Sequence, residues 1–463
     1  MNSVRPVDFF SESPPERIIG TEMETSVQAR YGDDSDQLNQ ELLHNWYYRN
    51  LRLLKISNFL SNGYKLYDDC GLLEIASPEC LGPKQAAIYD FAGISIVSKI
   101  ASSSPIVKGV YRTTGMQNIE GGYISQGYHE NYLVASESIS TQLLQTILAS
   151  FLISKTWSGA GTLKNGFQLS QKFPSIGGSS VTNDMSRRTQ EGNKPMIMLP
   201  EIENNDSTTI GNDNNWSRIE IRSSDANFSK SITYLNLATT SLILRLFEHP
   251  NIVNLKKLHS YSFKNILEGK EIFNSDLTFS KTLQTQNNNF ISAINYQQLL
   301  LDSCRDLSNR INLPDSETNI FNLWQEVIDN LTKANLENNE YANLLELVGF
   351  AGLHYYLTKK NGSNNLKKPS YETIKAQLLW NQIYPSSGPA QKYWSKVSND
   401  NFFIKDSDIT QAIVEPPLTR ANRRASLIKT HYSNITLIDW AIVSINRKDD
   451  IKQLFELNNP YEF

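Results

Sequence analysis

Three segments far apart in the chain, Arg17–Thr25, Gly63–Asp69 and Arg218–Arg222, alternate in polarity so that ionisable side chains fall on one face of each. A period of two is the mark of a strand with one face on a core. In the first segment Glu22 and Glu24 share a face, and in the second Lys65, Tyr67 and Asp69 do. In the third, Arg218, Glu220 and Arg222 stand opposite Ile219 and Ile221. Taken singly, each is also the pattern of an ordinary half-exposed strand. Joined in one sheet, they would line a concave polar surface with acidic and basic groups mixed. Such a surface suits a magnesium nucleotide, because carboxylates are the hard oxygen ligands of Mg2+ and Arg and Lys neutralise phosphate oxygens. The chain has neither a GxxxxGK[ST] loop nor a strand-linked GxGxxG, so the nucleotide floor would be an antiparallel sheet rather than a Walker or Rossmann site.

The remainder reads as helices and loops around that sheet. Apolar residues recur at helical spacing over 36–59, Gln85–Ala101, Ser136–Thr156, Ile232–His249 and Ile320–Lys333. Phe173–Asn215 is rich in Ser, Thr, Asn and Gly, with one strand-like run at Pro195–Pro200, and reads as long surface loops. A Pro/Ser/Gly break at Tyr384–Pro389 predicts a boundary between a catalytic domain over 1–387 and a small C-terminal domain over 388–463. The 463 residues are 39% hydrophobic, with 21 Tyr, 19 Phe and 7 Trp, enough for a large α+β core. The 44 Lys+Arg against 48 Asp+Glu leave a net charge of −4, which excludes a bulk polycation for nucleic acid. The three cysteines, Cys70, Cys80 and Cys304, have no metal-type clustering, so neither a disulfide framework nor a zinc site is expected. The start of the sequence carries no apolar leader and no run reaches a membrane span, so the expected location is cytoplasmic.

The run Asn62–Cys80, NGYKLYDDCGLLEIASPEC, resembles the N-G-x-R-L-Y-x-D-x-G…E-Y-A-T-x-E-C segment of the Pup ligase and Pup deamidase/depupylase family. Further matches keep the family's order: Gly20–Glu24, Gly127–Leu133, Gly159–Gly161, Leu169–Gln171, Ser224–Asn227, Ala412–Ala421 and Asp439–Trp440. The resemblance implies a glutamine-synthetase-like fold and an ATP- and Mg2+-dependent ligase. Such an enzyme joins the carboxylate of a Pup-like protein or other glutamate-ended peptide to a lysine or other amine through an acyl phosphate.

Carried over residue by residue, the resemblance makes Asp69 the catalytic base, standing outside the metal's ligand set. It places Glu22, Tyr67 and Glu74 on the metal and Lys65, Ser77 and Trp440 on the nucleotide. Arg218 and Arg222 are expected to neutralise the phosphoryl group, and Arg420 to reach the nucleotide from the tail. Each assignment has a plainer alternative: Tyr67 as a strand aromatic, Trp440 as a core anchor, Glu79 and Glu130 as solvated charges. Departures concern the substrate side. The family's R-R-L-H reads Ser217-Arg218-Ile219-Glu220, and Glu220 in the histidine's place could still bind a metal. Leu199–Asp206 lacks the Arg and His of T-R-D-E-P-H-A-D, and Leu344–Ala351 lacks D-W-x-x-K. The depupylase branch carries a long insertion after the first strand that the interval from Val27 to Leu51 does not hold, so a ligase is favoured. Gly20–Glu24 itself looks more like the depupylase strand. A hydrolase on the same site, and a carboxylate-amine ligase outside the Pup pathway, are the other readings.

Overall fold

The computed structural model describes residues 8–29, 59–69, 71–117, 122–138, 142–177, 181–182, 194–199, 216–385, 388–397, 402–446 and 452–463. The helix expected over 36–58 and the divergent stretch after Leu199 lie outside them. At the centre is a sheet of ten strands: β1 (Ile18–Ala29), β2 (Lys65–Asp69), β3 (Leu72–Ala76), β4 (Cys80–Leu81), β5 (Val107–Tyr111), β6 (Tyr128–Ala135), β7 (Val181–Thr182), β8 (Ile197–Met198), β9 (Trp216–Ile221) and β10 (Gln382–Tyr384). Its order is β7-β8-β9-β6-β1-β3-β2, with β4 and β5 pairing the two ends of β1 and β10 pairing β5. Every pair is antiparallel except β7 with β8. The β2–β3 hairpin turns through Gly71 at φ +87°, a left-handed conformation that glycine adopts without strain, and Asp68 Oδ1 accepts from the Gly71 N–H at 2.9 Å.

One face of the sheet is apolar. Ile19, Met23, Leu66, Leu73, Ile75, Tyr128, Tyr132, Ile219 and Ile221 are all buried in the main core. Against it pack α1 (Gly82–Ser103) and α3 (Lys230–Glu248), with α2 (Gln142–Ser154) and α4 (Phe321–Leu331) in the surrounding helical layers. α1 opens with Pro83 in its first turn, and Ser229 caps α3 by accepting from the Ile232 N–H. Each buried Leu or Ile on these faces contributes about 1.5–3 kcal/mol of transfer free energy.

Charges inside the core are paired. Arg17, at the foot of β1, reaches both Glu248 oxygens at 2.9 and 2.8 Å, and Arg245 binds Glu317 and Glu248 at 3.0 and 3.3 Å; all four side chains are fully buried. Arg17 also donates to Leu133 O on β6 at 2.7 Å. Glu130, on the apolar face of β6, is buried as well, with Tyr132 and Asn236 donating to it at 2.6 and 2.5 Å, so it is not a solvated charge. Asp225 is a second hub. Its carboxylate accepts from the N–H groups of Ala160, Gln171 and Lys172 at 2.7–2.8 Å and from Thr114 and Ser170 hydroxyls at 3.0 and 3.1 Å. Three of the sequence runs noted above, Gly159–Gly161, Leu169–Gln171 and Ser224–Asn227, therefore converge on one buried carboxylate.

Apolar residues just after position 388 remain in the main core, among them Ala390, Trp394, Ile404, Ile409 and Ala412. A separate small core begins with α5 (Arg420–His431) and a three-stranded sheet of β11 (Ile435–Ile438), β12 (Ile442–Asn446) and β13 (Lys452–Glu456). Ile428, Ile435, Ile438, Val443, Ile445 and Leu457 fill it together with Phe59 from the main body. No helix among the described residues is long and apolar enough to cross a membrane.

Removing one member of a fully buried ion network strands its partners, at a cost of about 3–5 kcal/mol. Glu248→Ala is therefore expected to lower the stability of the full chain by that amount. Urea unfolding followed by circular dichroism measures it; a loss under 1 kcal/mol would show that the network is dispensable.

Candidate active site

The other face of the sheet is polar, and the strand register sets its rows. Tyr67 pairs with Glu74, and Glu74 with Glu24. One step along, Lys65 pairs with Ala76, Ala76 with Glu22, and Glu22 with His129. One step further, Gly20 pairs with Asn131, Asn131 with Glu220, and Glu220 with Met198. The three alternating segments thus lie in one sheet with their ionisable residues on one face, as period two requires.

Two groups of ligand atoms come together there. Glu22, Glu74 and His129 offer atoms all within 4.8 Å of one another, and so do Glu24, Asp69 and Glu74. Glu74 belongs to both groups. It is only 2% exposed, and its Oε1 is buried with no hydrogen-bond donor. Burial, then the nearby Glu22 and Glu24 carboxylates, push its pKa well above the usual carboxylate range. Burial and the Glu22 and Glu74 charges likewise raise the Tyr67 phenol. A like-charged carboxylate set around the buried Glu74, one of whose oxygens is orphaned, fits a hard divalent cation such as Mg2+, with His129 adding one nitrogen.

The ligand side chains are held from behind. The Gly127 N–H donates to Glu24 Oε2 at 2.5 Å, while the Glu24 N–H donates to Gly127 O at 3.0 Å. A Cβ at position 127 would lie 2.5 Å from Glu24 Oε1 and 2.7 Å from His129 Nε2, so a larger residue there would push both side chains from their places. His129 Nδ1 stands 3.2 Å from Glu22 Oε2, and Asn131 Nδ2 donates to Glu22 Oε1 at 3.3 Å.

The structure brings Glu22, Lys65, Tyr67, Asp69 and Glu74 together on this floor. Asp69, expected outside the ligand set, has its carboxylate within the second group. Ser77 is buried beside Gly20, its hydroxyl accepting from the Thr21 N–H at 2.8 Å and donating to Pro78 O at 3.1 Å. Glu220 falls outside both groups, because cations engage it: Arg222 Nη1 donates at 2.5 Å and Arg218 Nη1 stands 3.5 Å away. Burial would raise its pKa, but His129, Arg218 and Arg222 outweigh that and hold it below the usual value. Arg218 also donates to Asn131 at 2.6 Å.

Arg420 does not face the floor. It is buried and donates to Glu79 at 2.6 Å, because the tail docks through that carboxylate. Arg424, which the sequence reading passed over, binds the same Glu79 at 2.7 and 3.0 Å and donates to Trp440 O at 2.8 Å. Glu79 is therefore no solvated charge. Burial opposes its ionisation, yet Arg424 and Arg420 bring its pKa down to about 2. This clamp seats Trp440 beside Lys65, whose ammonium lies 5.3, 5.5 and 5.8 Å from the Phe59, Tyr67 and Trp440 rings and 3.8 Å from Asp439. His129 and Glu24 were not among the residues that the resemblance assigned to the metal. Glu24 shares Glu22's strand face in the sequence, whereas the position of His129 depends on the β1–β6 register.

Residues 2–444 match the Pup-ligase protein family. The Pup–protein ligase of Acidimicrobium ferrooxidans is 24% identical over 424 residues, 87% of this chain and 86% of that one. The Pup deamidase/depupylase of Mycolicibacterium smegmatis is 23% identical over 394 residues, 82% of this chain and 74% of that one. Among solved structures, the complex between prokaryotic ubiquitin-like protein Pup and its ligase superposes with a TM-score of 0.76 at 20% identity, covering 96% of this chain and 90% of that one. A Pup ligase in complex with ADP gives 0.70 at 19% identity, covering 93% and 92%. These superpositions establish a Pup-ligase fold.

Because its folded pKa is raised, Glu74 stabilises the metal-free protein below the ordinary carboxylate pKa. That stability is lost as pH rises through the higher folded value, where the native state holds the extra proton. The fall should be absent in Glu74→Gln and cancelled by millimolar Mg2+ or Mn2+. Thermal unfolding across pH 4–9, with and without metal, checks this; parallel profiles for wild type and Glu74→Gln would contradict it.

Proposed function

The chain belongs to the Pup-ligase family, and from that premise we propose that it is an ATP-dependent carboxylate-amine ligase forming an isopeptide bond. The observation that carries this reading is the shared polar floor: Glu22, Glu74 and His129 bring ligand atoms within 4.8 Å of one another, Glu74 has a buried oxygen with no donor, and Lys65, Tyr67 and Asp69 stand on the same face. The acid substrate is the side-chain carboxylate of a glutamate-ended, Pup-like protein, and the acceptor is a lysine amine. In the first step a carboxylate oxygen bonds the γ-phosphorus of ATP, the bond to the β-phosphate oxygen breaks, and ADP leaves. In the second the amine bonds the acyl carbon and phosphate leaves, giving the amide.

Glu22, Tyr67, Glu74 and His129 would hold Mg2+, which when bound supplies positive charge against the phosphate oxygens. Lys65 and the Trp440 wall bind and orient the nucleotide from the β2 edge, with the tail docked by the Glu79 clamp. Asp69 takes a proton from the incoming amine, whose pKa near ~10.4 otherwise keeps it charged and unreactive at neutral pH. Its place at the end of β2, two residues from Tyr67 on the same face, supports that role.

Loss of a general base typically costs ~10²–10⁴-fold in rate. Asp69→Asn is therefore expected to bind an ATP analogue with Mg2+ about as well as wild type and to form little amide from a glutamate-ended peptide and a lysine acceptor. Glu22→Ala should instead lose most of the metal-dependent nucleotide binding. If calorimetry shows both variants losing binding alike, Asp69 is a ligand rather than the base. Offered the finished isopeptide without ADP and phosphate, the protein should leave it intact; rapid cleavage would favour the hydrolase reading.

A further inference from the structure

Away from the polar floor, one stretch of surface carries a single sign of charge. Residues 359–375 hold five lysines, Lys359, Lys360, Lys367, Lys368 and Lys375, against one acid, Glu372, in a chain whose net charge is −4. All five lysines are exposed, and none forms an ion pair among the described residues. The other acids on the elements packed here are Glu340, next to the Tyr341 that stacks on Tyr355, and Glu346, beside Tyr393. Like charges held together repel one another, and a surface of one sign draws an oppositely charged partner.

The fold gathers these lysines. The helix Gly349–Asn361 stops at Gly362, and the helix Tyr371–Trp380 begins after Ser370, whose hydroxyl caps it by accepting from the Thr373 N–H at 3.2 Å. Asn361 closes the turn between them: its Nδ2 donates to Asn365 O at 3.2 Å, and its Oδ1 accepts from the Thr373 hydroxyl at 3.1 Å. Lys360 precedes Asn361 and Lys375 follows Thr373 by two residues, while the buried Leu366 pins the loop just before Lys367 and Lys368. Two tyrosines belong to the same surface, Tyr355 at 41% and Tyr371 at 54% exposure, with the Lys359 ammonium 5.5 Å from the Tyr355 ring. A helix C-terminus accounts for Lys359 and Lys360, since cations there offset its dipole. It does not account for Lys367 and Lys368 in the loop or for Lys375 within the next helix.

We propose that this surface docks an acidic stretch of a protein partner, with the lysines arranged around Tyr355 and Tyr371. The helix Gly349–Asn361 starts at the Asp225 hub, where the Phe350 N–H donates to Gly159 O at 3.2 Å, and its lysines come ~15 Å further along at 1.5 Å per residue. No residue of the surface belongs to the ligand groups of the floor, so the inference stands whatever reaction the floor performs. Nucleic acid is the other large polyanion. Its recognition leans on arginine forks at phosphates and base edges and on a basic chain, whereas residues 359–375 hold no arginine and the chain as a whole is acidic. Exposed tyrosines with charged residues around them are instead the anchors and rim of a protein interface.

Fluorescence anisotropy on the full chain tests this with a labelled decapeptide rich in Glu and Asp, acetylated and amidated so that it offers no free-acid end. Wild type should bind it, with affinity falling ~10-fold or more between ~50 and ~300 mM salt as exposed charges are screened. Combining Lys359→Glu, Lys360→Glu, Lys367→Glu and Lys368→Glu should weaken binding ~10-fold or more, and Tyr371→Ser should weaken it several-fold, each without changing the affinity for Mg-ADP. These side chains are exposed, so the variants should keep the wild-type melting temperature, and Tyr371→Ser remains informative even if the fourfold variant does not. A decapeptide with Gln and Asn in place of Glu and Asp should not bind. No binding of the acidic decapeptide at ~50 mM salt, equal binding of the Gln/Asn peptide, or equal binding by the fourfold variant would each overturn the docking surface. A single-stranded DNA decamer bound more tightly than the acidic peptide would overturn it too, by assigning the lysines to nucleic acid.

Discussion

Glu74 is the constraint around which the rest is arranged. A carboxylate at 2% exposure, with Glu24 beside it on β1 and Glu22 one row away, is held where its neighbours repel it and water does not reach it. Such a group persists only where the surrounding structure over-determines its position. β3 is paired on both sides, by β1 and β2, and the apolar side chains beneath it are fully packed. Arg17 ties the foot of β1 to α3 through Glu248 and to β6 through Leu133 O, so the two strands carrying Glu22 and His129 cannot slip relative to each other without breaking a buried ion network. A one-residue slip would turn every acidic side chain from the polar face into the core.

Much of this was legible in the sequence because strand alternation is a local property. The pairs Glu22/Glu24 and Lys65/Tyr67/Asp69 share a face whatever the partner strands are, and the structure has only to bring the strands together. Residues whose role depends on contact between distant segments were not legible. His129 lies in the matching run Gly127–Leu133, yet it becomes a candidate ligand only through its register opposite Glu22. Arg424 matters because a helix near the end of the chain docks on Glu79, 345 positions earlier. Ser224–Asn227 matched as a motif, yet the job of Asp225 as collector of three loop N–H groups required the loops to be seen in place. Helix ends were approximate for the usual reason, that caps set them: the start expected at Ile232 falls two residues earlier, where Ser229 caps.

The arginines divide by environment rather than by motif. Arg420 lies in a matching stretch, and matching alone assigned it to the nucleotide. Its burial against Glu79 makes it part of the joint between body and tail. A joint of this kind still bears on the site. Arg424 spans Glu79, the Trp440 carbonyl and the faces of Phe59 and Trp440 at 4.7 and 5.1 Å, so the docked tail and the wall beside Lys65 are one packing unit. The planar fork of arginine can satisfy a carboxylate, a carbonyl and two rings at once, which a lysine could not.

The last step concerns the direction of the charge across the floor. Read from β2 toward β9, the polar face runs from Lys65 through the acidic group of Asp69, Glu74, Glu24 and Glu22 to His129, and then to Arg218 and Arg222 around Glu220. A surface meant only for nucleotide would gather its cations on the side where the phosphates enter. Here cations stand on both sides of a carboxylate-lined centre, and Glu220 tempers rather than cancels the second group by taking one edge of Arg222 and leaving its Nε free. Two anionic reactants that must meet end to end repel each other, and separate cationic groups on opposite sides of a cation-binding centre are an economical way to hold both in place. Glu220 fixes the orientation of Arg222 by taking one edge of its guanidinium, while register alone sets Glu22, Tyr67 and Glu74 side by side at the centre of the floor.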